Sequence, residues 1–466
     1  MSSPAQTNYA DEALPAVPAG GGSPVAGELA GGNGWLRSAV AALPAPSKLL
    51  QIGYSFADQA LAVGGTFLAN VALARSQTKE EYGMFALSYS VFTFLSVLHN
   101  AAIVEPYTVY GSGRYHDRFS AYLRLMARCN ALIGLALTGL LLLACLILYW
   151  AAPQYLTRAL LGLGVTVGVL LSAAFLRRVF YLQRQPGYAA RASLICFVTV
   201  TSALGLAAKA HALNGFSVFA ILALGWIAAG MGLGRKLALG HPRGESFLES
   251  EPGYWGEHWK YSKWALATAF VFQLTGQAYY WIVAGFLSVK DVAGLRAMQM
   301  LVAPVDQVFI AVTLLVIPAL AARYASNRMA GYLTFTKRYA LGVAGVTALF
   351  ALAVRLLGRP LMHWLYAGKF DELIPGLYVL AFLPLLMSIG NTLGNAMNAA
   401  EKPRLVFAGF LSSGVATLAL GIPLVIRFGL PGAVYGLLVS ATVYTGAQAL
   451  GFFLAVYRKA IPVGAP

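Results

Sequence analysis

Apolar runs of about 20 residues recur from Lys48 to Tyr457 with no soluble-looking interval between them, and this restricts the fold more than any single motif does. A helix of about 20 residues crosses a hydrocarbon core roughly 30 Å thick. Inside that core a segment must satisfy its own backbone hydrogen bonds. The chain is 59% hydrophobic and only 11% charged, with mean hydropathy +0.68, where soluble proteins carry about 25% charged residues. The expected class is therefore an all-α polytopic membrane protein in which one membrane domain fills nearly the whole chain.

Twelve spans follow, near residues 49–73, 83–104, 129–150, 156–176, 188–208, 216–234, 262–285, 294–320, 340–358, 374–397, 405–426 and 431–456. The expected organisation is a disordered tail (1–47), a first six-helix lobe (48–234), a linker (235–261), a second six-helix lobe (262–457) and a short tail (458–466). The first tail, with "ALPAVPAGGGSPVAGELAGGNG", is rich in Ala, Gly, Pro and Ser and lacks the apolar region of a signal peptide. Trp35 to Leu43 reads either as a short interfacial helix or as a flexible lead-in.

With the N-terminus cytoplasmic, 23 of the 33 Lys and Arg fall on the inner side and 10 on the outer. That is the asymmetry of the positive-inside rule. It predicts that both termini and the 235–261 linker are cytoplasmic. The net charge of +16 is scattered through short loops, so topology explains it and no nucleic-acid partner is expected. Cys129, Cys145 and Cys196 lie in or beside apolar runs and read as packing residues.

The two halves align. Gly83 and Gly294 start the second and eighth spans, and Pro106 and Pro318 end them. Tyr122 of "SAYLRL" pairs with Tyr332 of "AGYLTF", and Pro186 pairs with Pro403, all at offsets of 210 to 217 residues. Six helices per half is an even number, so the lobes share an orientation and are related by a pseudo-two-fold axis along the membrane normal. Two such bundles enclose a central cavity.

Three stretches carry a resemblance: "RSQTKEEYGMFALSYSV", the connection "AGFLSVKDVAGLRAMQMLVAPVDQVFIAVTLLVIPALAARYA", and "NAMNAAEKPRLVFAGF". Together they resemble the polysaccharide flippase branch of the multidrug/oligosaccharidyl-lipid/polysaccharide exporter superfamily, over roughly residues 48 to 457. The resemblance implies transport of a polyprenyl-diphosphate-linked oligosaccharide across a bacterial inner membrane by alternating access of two lobes. Cationic cavity residues would attract the diphosphate while the tail stays in lipid. It also implies membrane lipids, and a polysaccharide polymerase with its export machinery, as partners in exopolysaccharide, capsule or O-antigen assembly. One motif points elsewhere. "GRYHDRFS", Gly113 to Ser120, matches part of a loop of major facilitator transporters, but the residues after "DRF" depart from that pattern and the second half holds no copy.

Asp58 and Asp306 are the two carboxylates at bilayer depth, roughly 14 Å and 18 Å from their helix ends at about 1.5 Å per residue. Facing one another they would raise each other's proton affinity, which suits coupling to a proton, with sodium the other candidate ion. The alternative is local bonding, Asp58 to Gln59 or Asp306 to Gln307, that orients helices. Arg124 and Arg128 share one face at the start of the third span, and Lys337 and Arg338 hold the matching place in the ninth. These four read either as a cationic entrance for diphosphate or as anchors whose stems snorkel.

Asn391, Asn395 and Asn398 form a stripe that lines a cavity or bonds another helix. Tyr279 to Trp281 read as an interfacial aromatic belt, with stacking on sugar as the alternative. Pro304 frees a carbonyl near Met300 and bends the eighth span, as a hinge or a fixed kink. No catalytic or metal-binding motif occurs, so neither an enzyme nor a cofactor is expected. A small-molecule or drug exporter and a membrane glycan polymerase are the alternatives.

Overall fold

The computed structural model describes residues 46–112, 114–115, 117–150, 154–239, 253–326 and 329–457. The tails assigned to 1–47 and 458–466 lie outside these residues except at Pro46 and Ser47, and so do Gly113 and His116 of the facilitator-like loop.

All twelve spans are helices. In the first lobe they are α1 (Pro46–Ser76), α2 (Lys79–His99, continuing through a π turn Asn100–Val104 into Glu105–Ser112), α3 (Phe119–Leu148), α4 (Gln154–Leu182), α5 (Pro186–Lys209) and α6 (Gly215–Leu239). The second lobe has α7 (Tyr254–Phe286), α8a (Val289–Val302), α8b (Pro304–Ala325), α9 (Met329–Tyr366), α10a (Ile374–Leu380), α10b (Leu383–Ala399), α11 (Pro403–Ala416, through a π turn Thr417–Gly421, then Ile422–Phe428) and α12 (Leu430–Phe452, ending in a π turn Phe453–Tyr457). Most run beyond their apolar cores, because polar flanks continue the helical ladder into the interface. The 235–261 interval is helical at both ends, with 240–252 outside the described residues.

The internal repeat extends to the caps. Thr78 accepts a hydrogen bond from the Glu81 amide at 3.2 Å at the start of α2. Ser288, 210 residues on, accepts one from the Asp291 amide at 3.3 Å at the start of α8a. Each satisfies an amide that the first turn leaves without a partner, and each acid sits where the helix dipole favours it.

Where the hydrophobic cores lie shows how the lobes meet. One core joins both lobes around Leu73, Phe85, Val167, Phe219, Val283, Leu295, Met362 and Val434. The two lobes meet in it at the end of the bundle that carries the 77–78, 287–288 and 367–370 connections, and within the first lobe it continues along α4 and α5 to Phe180 and Ala189. Toward the other end it divides. Tyr107, Tyr122, Met126 and Phe175 form a core of the first lobe that also takes Tyr254 of α7, and Leu320, Tyr332, Met397 and Phe452 form one of the second lobe alone. The lobes therefore share one core at this end, while toward the other they keep separate cores. They meet there through α7, where His258 bonds the Ala102 carbonyl at 2.9 Å and Glu257 pairs with Arg114 at 3.3 Å. The space between the separate cores is the interlobe cleft, with its apex at the shared core.

At the shared end the helices α2 and α8a approach closely at Gly83, where a Cβ would overlap the backbone carbonyl of Val289. Gly294, the matching glycine of α8a, lies against Leu373 and Leu430. Backbone yields less readily than a flexible side chain, so Gly83→Ala is expected to lower stability by about 1–3 kcal/mol. Gly294→Ala should cost less. Thermal unfolding of the two purified variants in detergent checks that order.

Cys145 and Cys196 are buried in the shared core and Cys129 is half-buried, all as free thiols.

Candidate functional site: the interlobe cleft

The shared end is held by contacts that cross between lobes, and two of them are reciprocal. Lys369, just past α9, gives its ammonium to the carbonyls of Ala74 (3.2 Å), Arg75 (2.8 Å) and Gln77 (2.7 Å), where α1 ends. Arg75 in return donates to the carbonyl of Trp364 at 2.9 Å, where α9 ends. The last carbonyls of a helix have no partner within it and carry the negative pole of its dipole, so each lobe caps a helix of the other with a cation. Lys79 pairs with Glu372 at 2.5 Å and Lys290 with Glu80 at 2.9 Å beside them. These two ion pairs are exposed and each is worth little alone.

Below this seal, at the apex, stands a cation that sequence reasoning left among the outer flanks. Arg296 lies seven residues into α8a, about 10 Å from its start. Its Nε donates to Asn70 of α1 at 3.1 Å and its Nη1 to the hydroxyl of Tyr280 at 3.3 Å, while the Tyr89 ring lies 4.6 Å from the guanidinium. Tyr280 in turn donates to Gln299. Among the described residues no carboxylate pairs with Arg296, whose neighbours are amide, phenol and aromatic face. Such a cation holds its charge by hydrogen bonds and ring quadrupoles alone, and its environment lacks the anion that would neutralise it. The available signal was an arginine two residues inside Gly294. The span at 294–320 already contains it, but its partners Asn70, Tyr89 and Tyr280 lie on other helices and leave no local pattern.

Asp58 and Asp306 share no partner among the described residues, although their neighbours Gln59 and Gln307 bond one another. Asp58 is fully buried, and four donors surround it. Arg177 of α4 reaches it through Nη2 at 2.7 Å and Nε at 3.1 and 3.2 Å, Tyr181 donates at 2.7 Å, and Ser193 of α5 at 2.5 Å. A carboxylate so satisfied fixes α1 against α4 and α5 within the first lobe. The same Arg177 donates to Gln59 at 3.0 Å, and Gln59 donates to Gln307 of α8b at 2.8 Å, which ties the lobes in the middle of the cleft. Asp306, next to Gln307, sits in the first turn of α8b, directly after the break at Ala303 that Pro304 imposes. It is exposed, and among the described residues no side chain pairs with its carboxylate.

The four proposed entrance cations lie at the end where the cores part, one pair per lobe. Arg124 and Arg128 flank Met126 of the first-lobe core, and Lys337 and Arg338 follow Tyr332 of the second-lobe core. Arg124 is half-buried, and Arg128, Lys337 and Arg338 are exposed. Asn391 accepts from Tyr444 at 2.8 Å, so that member of the stripe bonds a neighbouring helix; Asn395 is half-buried and Asn398 exposed. Tyr279 and Tyr280 do not form a belt. Both are buried, with Tyr279 against Ser440 at 3.0 Å, and Trp281 donates to Ser90 at 3.0 Å. They pack α7 onto α8a, α12 and α2, a burial that the local apolar pattern does not distinguish from an interface.

No protein-family model matches the sequence, and neither does any curated protein sequence. Solved structures do match. A multidrug resistance MATE family transporter of the MOP superfamily in its inward-facing conformation superposes with TM-score 0.71 at 10% identity, over 87% of this chain and 96% of the other. An outward-facing conformation of such a transporter gives 0.61 at 10% identity, over 88% and 96%. The lipid II flippase MurJ, inward closed, gives 0.62 at 14% identity, over 88% and 90%. The chain thus has the twelve-helix, two-lobe fold of these transporters.

Proposed function

We propose that this protein is a flippase that carries a polyprenyl-diphosphate-linked oligosaccharide across a bacterial inner membrane by alternating access. The observation that carries the reading is Arg296, a cation at the apex of the interlobe cleft with hydroxyl and amide partners and, among the described residues, no carboxylate. A diphosphate cannot cross hydrocarbon without a polar path. It would find in the cleft a guanidinium whose fork suits phosphate oxygens and phenols that suit sugar hydroxyls. Arg124, Arg128, Lys337 and Arg338 would gather the anion at the mouth, and Asn395 and Asn398 would meet the glycan below the apex. With the N-terminus cytoplasmic, the sealed end faces outward and the cleft opens to the cytoplasm, where such substrates are assembled. The likeness to the inward-facing transporter and to the lipid II flippase supports both the conformation and the class.

A second reading rests on Asp306, the exposed carboxylate beside the Gln59–Gln307 tie. In an exporter of cationic drugs it would bind the substrate, and in the flippase it would take up a proton or sodium ion as the coupling group. A deletion strain separates the functions. The flippase reading expects unpolymerised lipid-linked repeat units trapped facing the cytoplasm. Unchanged glycan with altered drug sensitivity would replace it with the exporter, and flipped but unpolymerised units with a polymerase.

Alternating access also requires the sealed end to open. Lys79→Cys with Glu372→Cys, in a background free of the native cysteines, is expected to cross-link on oxidation and stop translocation, with recovery on reduction. Undiminished transport by the cross-linked protein would exclude separation of the lobes at that end.

A further inference from the structure

We propose that Arg296 is also the link through which an anion in the cleft loosens the sealed end; this rests on the reading of Arg296 as the phosphate-binding group. The ties between the lobes run contiguously along α1 and α8a. On α1, Asn70 takes Arg296, and one turn later the carbonyls of Ala74, Arg75 and Gln77 take Lys369. On α8a, Lys290 pairs with Glu80 in the first turn and Arg296 follows within two turns.

Asn70 is fully buried, and its amide orientation is fixed because Nδ2 donates to the Thr66 carbonyl at 2.9 Å. Its Oδ1 therefore faces Arg296 as an acceptor with no water to replace that donor. Two neutral acceptors, an amide and a phenol, now hold the guanidinium. A phosphate oxyanion accepts more strongly than either. An anion that arrives from the open end competes for Nε, and if Nε leaves, Asn70 remains as an unpaired buried acceptor. Sealing of the lobes and binding of the anion thus draw on the same N–H groups, so each must weaken the other by an equal factor. Besides the shared core, the other polar ties at this end are exposed ion pairs, cation-to-carbonyl bonds and the Trp281–Ser90 bond. Loss of the buried Asn70 tie therefore weakens the seal and shifts the balance toward opening.

The test uses the full-length protein in lipid nanodiscs with inorganic pyrophosphate as the probe. Spin labels at Tyr155→Cys and Phe428→Cys, exposed positions at the sealed end of the two lobes, report their separation once Cys129, Cys145 and Cys196 are replaced. Pyrophosphate is expected to raise the ratio of wide to narrow distances on the order of tenfold. Asn70→Ala should bind pyrophosphate several-fold more tightly and populate the wide state without it. Asn70→Asp, nearly isosteric and able to hold Arg296 in an ion pair, should bind it more weakly and stay narrow. These opposite shifts separate the switch from a general loss of folding. If pyrophosphate binds through Arg296 but the distances do not change and both Asn70 variants bind as wild type does, the switch is wrong and the anion site stands. If wild type and Arg296→Gln are alike in showing no binding, the anion site falls, and the switch falls with it.

Discussion

Arg177→Met should destabilise the protein by about 3–5 kcal/mol, the range seen when one partner of a buried ion pair is removed and the other is left behind. Asp58 has no exposure to solvent, and Arg177 supplies its only cationic partner among the described residues. Tyr181 and Ser193 would remain as donors, but two neutral hydroxyls do not replace a guanidinium bound through two nitrogens. The double variant Asp58→Asn, Arg177→Met removes the stranded charge and should recover most of the loss. Thermal unfolding of the purified variants in detergent decides the matter. Equal destabilisation by the single and double variants would show that the cost is lost packing and not an uncompensated carboxylate. Because Arg177 also holds Gln59, which reaches Gln307 across the cleft, the single variant should weaken the mid-cleft tie as well.

Arg296→Gln should reduce pyrophosphate affinity about 10- to 100-fold, since a hydrogen bond to a charged group contributes about 1.5–3 kcal/mol. Arg296→Lys keeps the charge but loses the planar fork, so its affinity should fall between the two. Gln still bonds Asn70, which keeps the apex packed while removing the charge. Isothermal titration with pyrophosphate, repeated at raised salt, measures the effect. A partly buried site should lose less affinity to salt than the exposed cations Arg128, Lys337 and Arg338 would. Full affinity in Arg296→Gln would move the anion site to those mouth residues.

Several features of this architecture were legible in the chain because they rest on local physics. Length and continuity of the apolar runs set the twelve helices, and the charge asymmetry set their expected orientation. Gly83 and Gly294, read only as repeat markers, turn out to be close approaches at the shared end of the bundle. The depth of Asp58 was legible as well, but its partner was not. Arg177 lies 119 residues away and was counted as a loop cation, because α4 continues past its apolar core to Leu182. An apolar window ends where charge begins, whereas a helix ends where its backbone partners end, and Arg177 falls between the two. Arg296 lay within the span at 294–320, and what the chain did not show was its company, Asn70, Tyr89 and Tyr280 from other helices.

The π turns at Asn100–Val104 and Thr417–Gly421 left no local signature, since one extra residue in a helical turn is fixed by what packs beside it. The interlobe seal was invisible for another reason. Lys369 and Arg75 act on backbone carbonyls, and a pattern of side chains does not record carbonyl positions.

Under the proposed function, the cleft moves an anionic lipid-linked glycan from one leaflet to the other. The most direct measurement places a fluorescent polyprenyl-diphosphate disaccharide in both leaflets of liposomes that contain the purified protein, then adds a reductant that cannot cross the membrane. With wild type the protected inner half of the fluorescence should be lost as the lipid is carried outward. With Arg296→Gln or in empty liposomes it should persist. Persistence with wild type, in liposomes that do transport a cationic dye, would contradict the account and identify the cleft as that of a drug exporter.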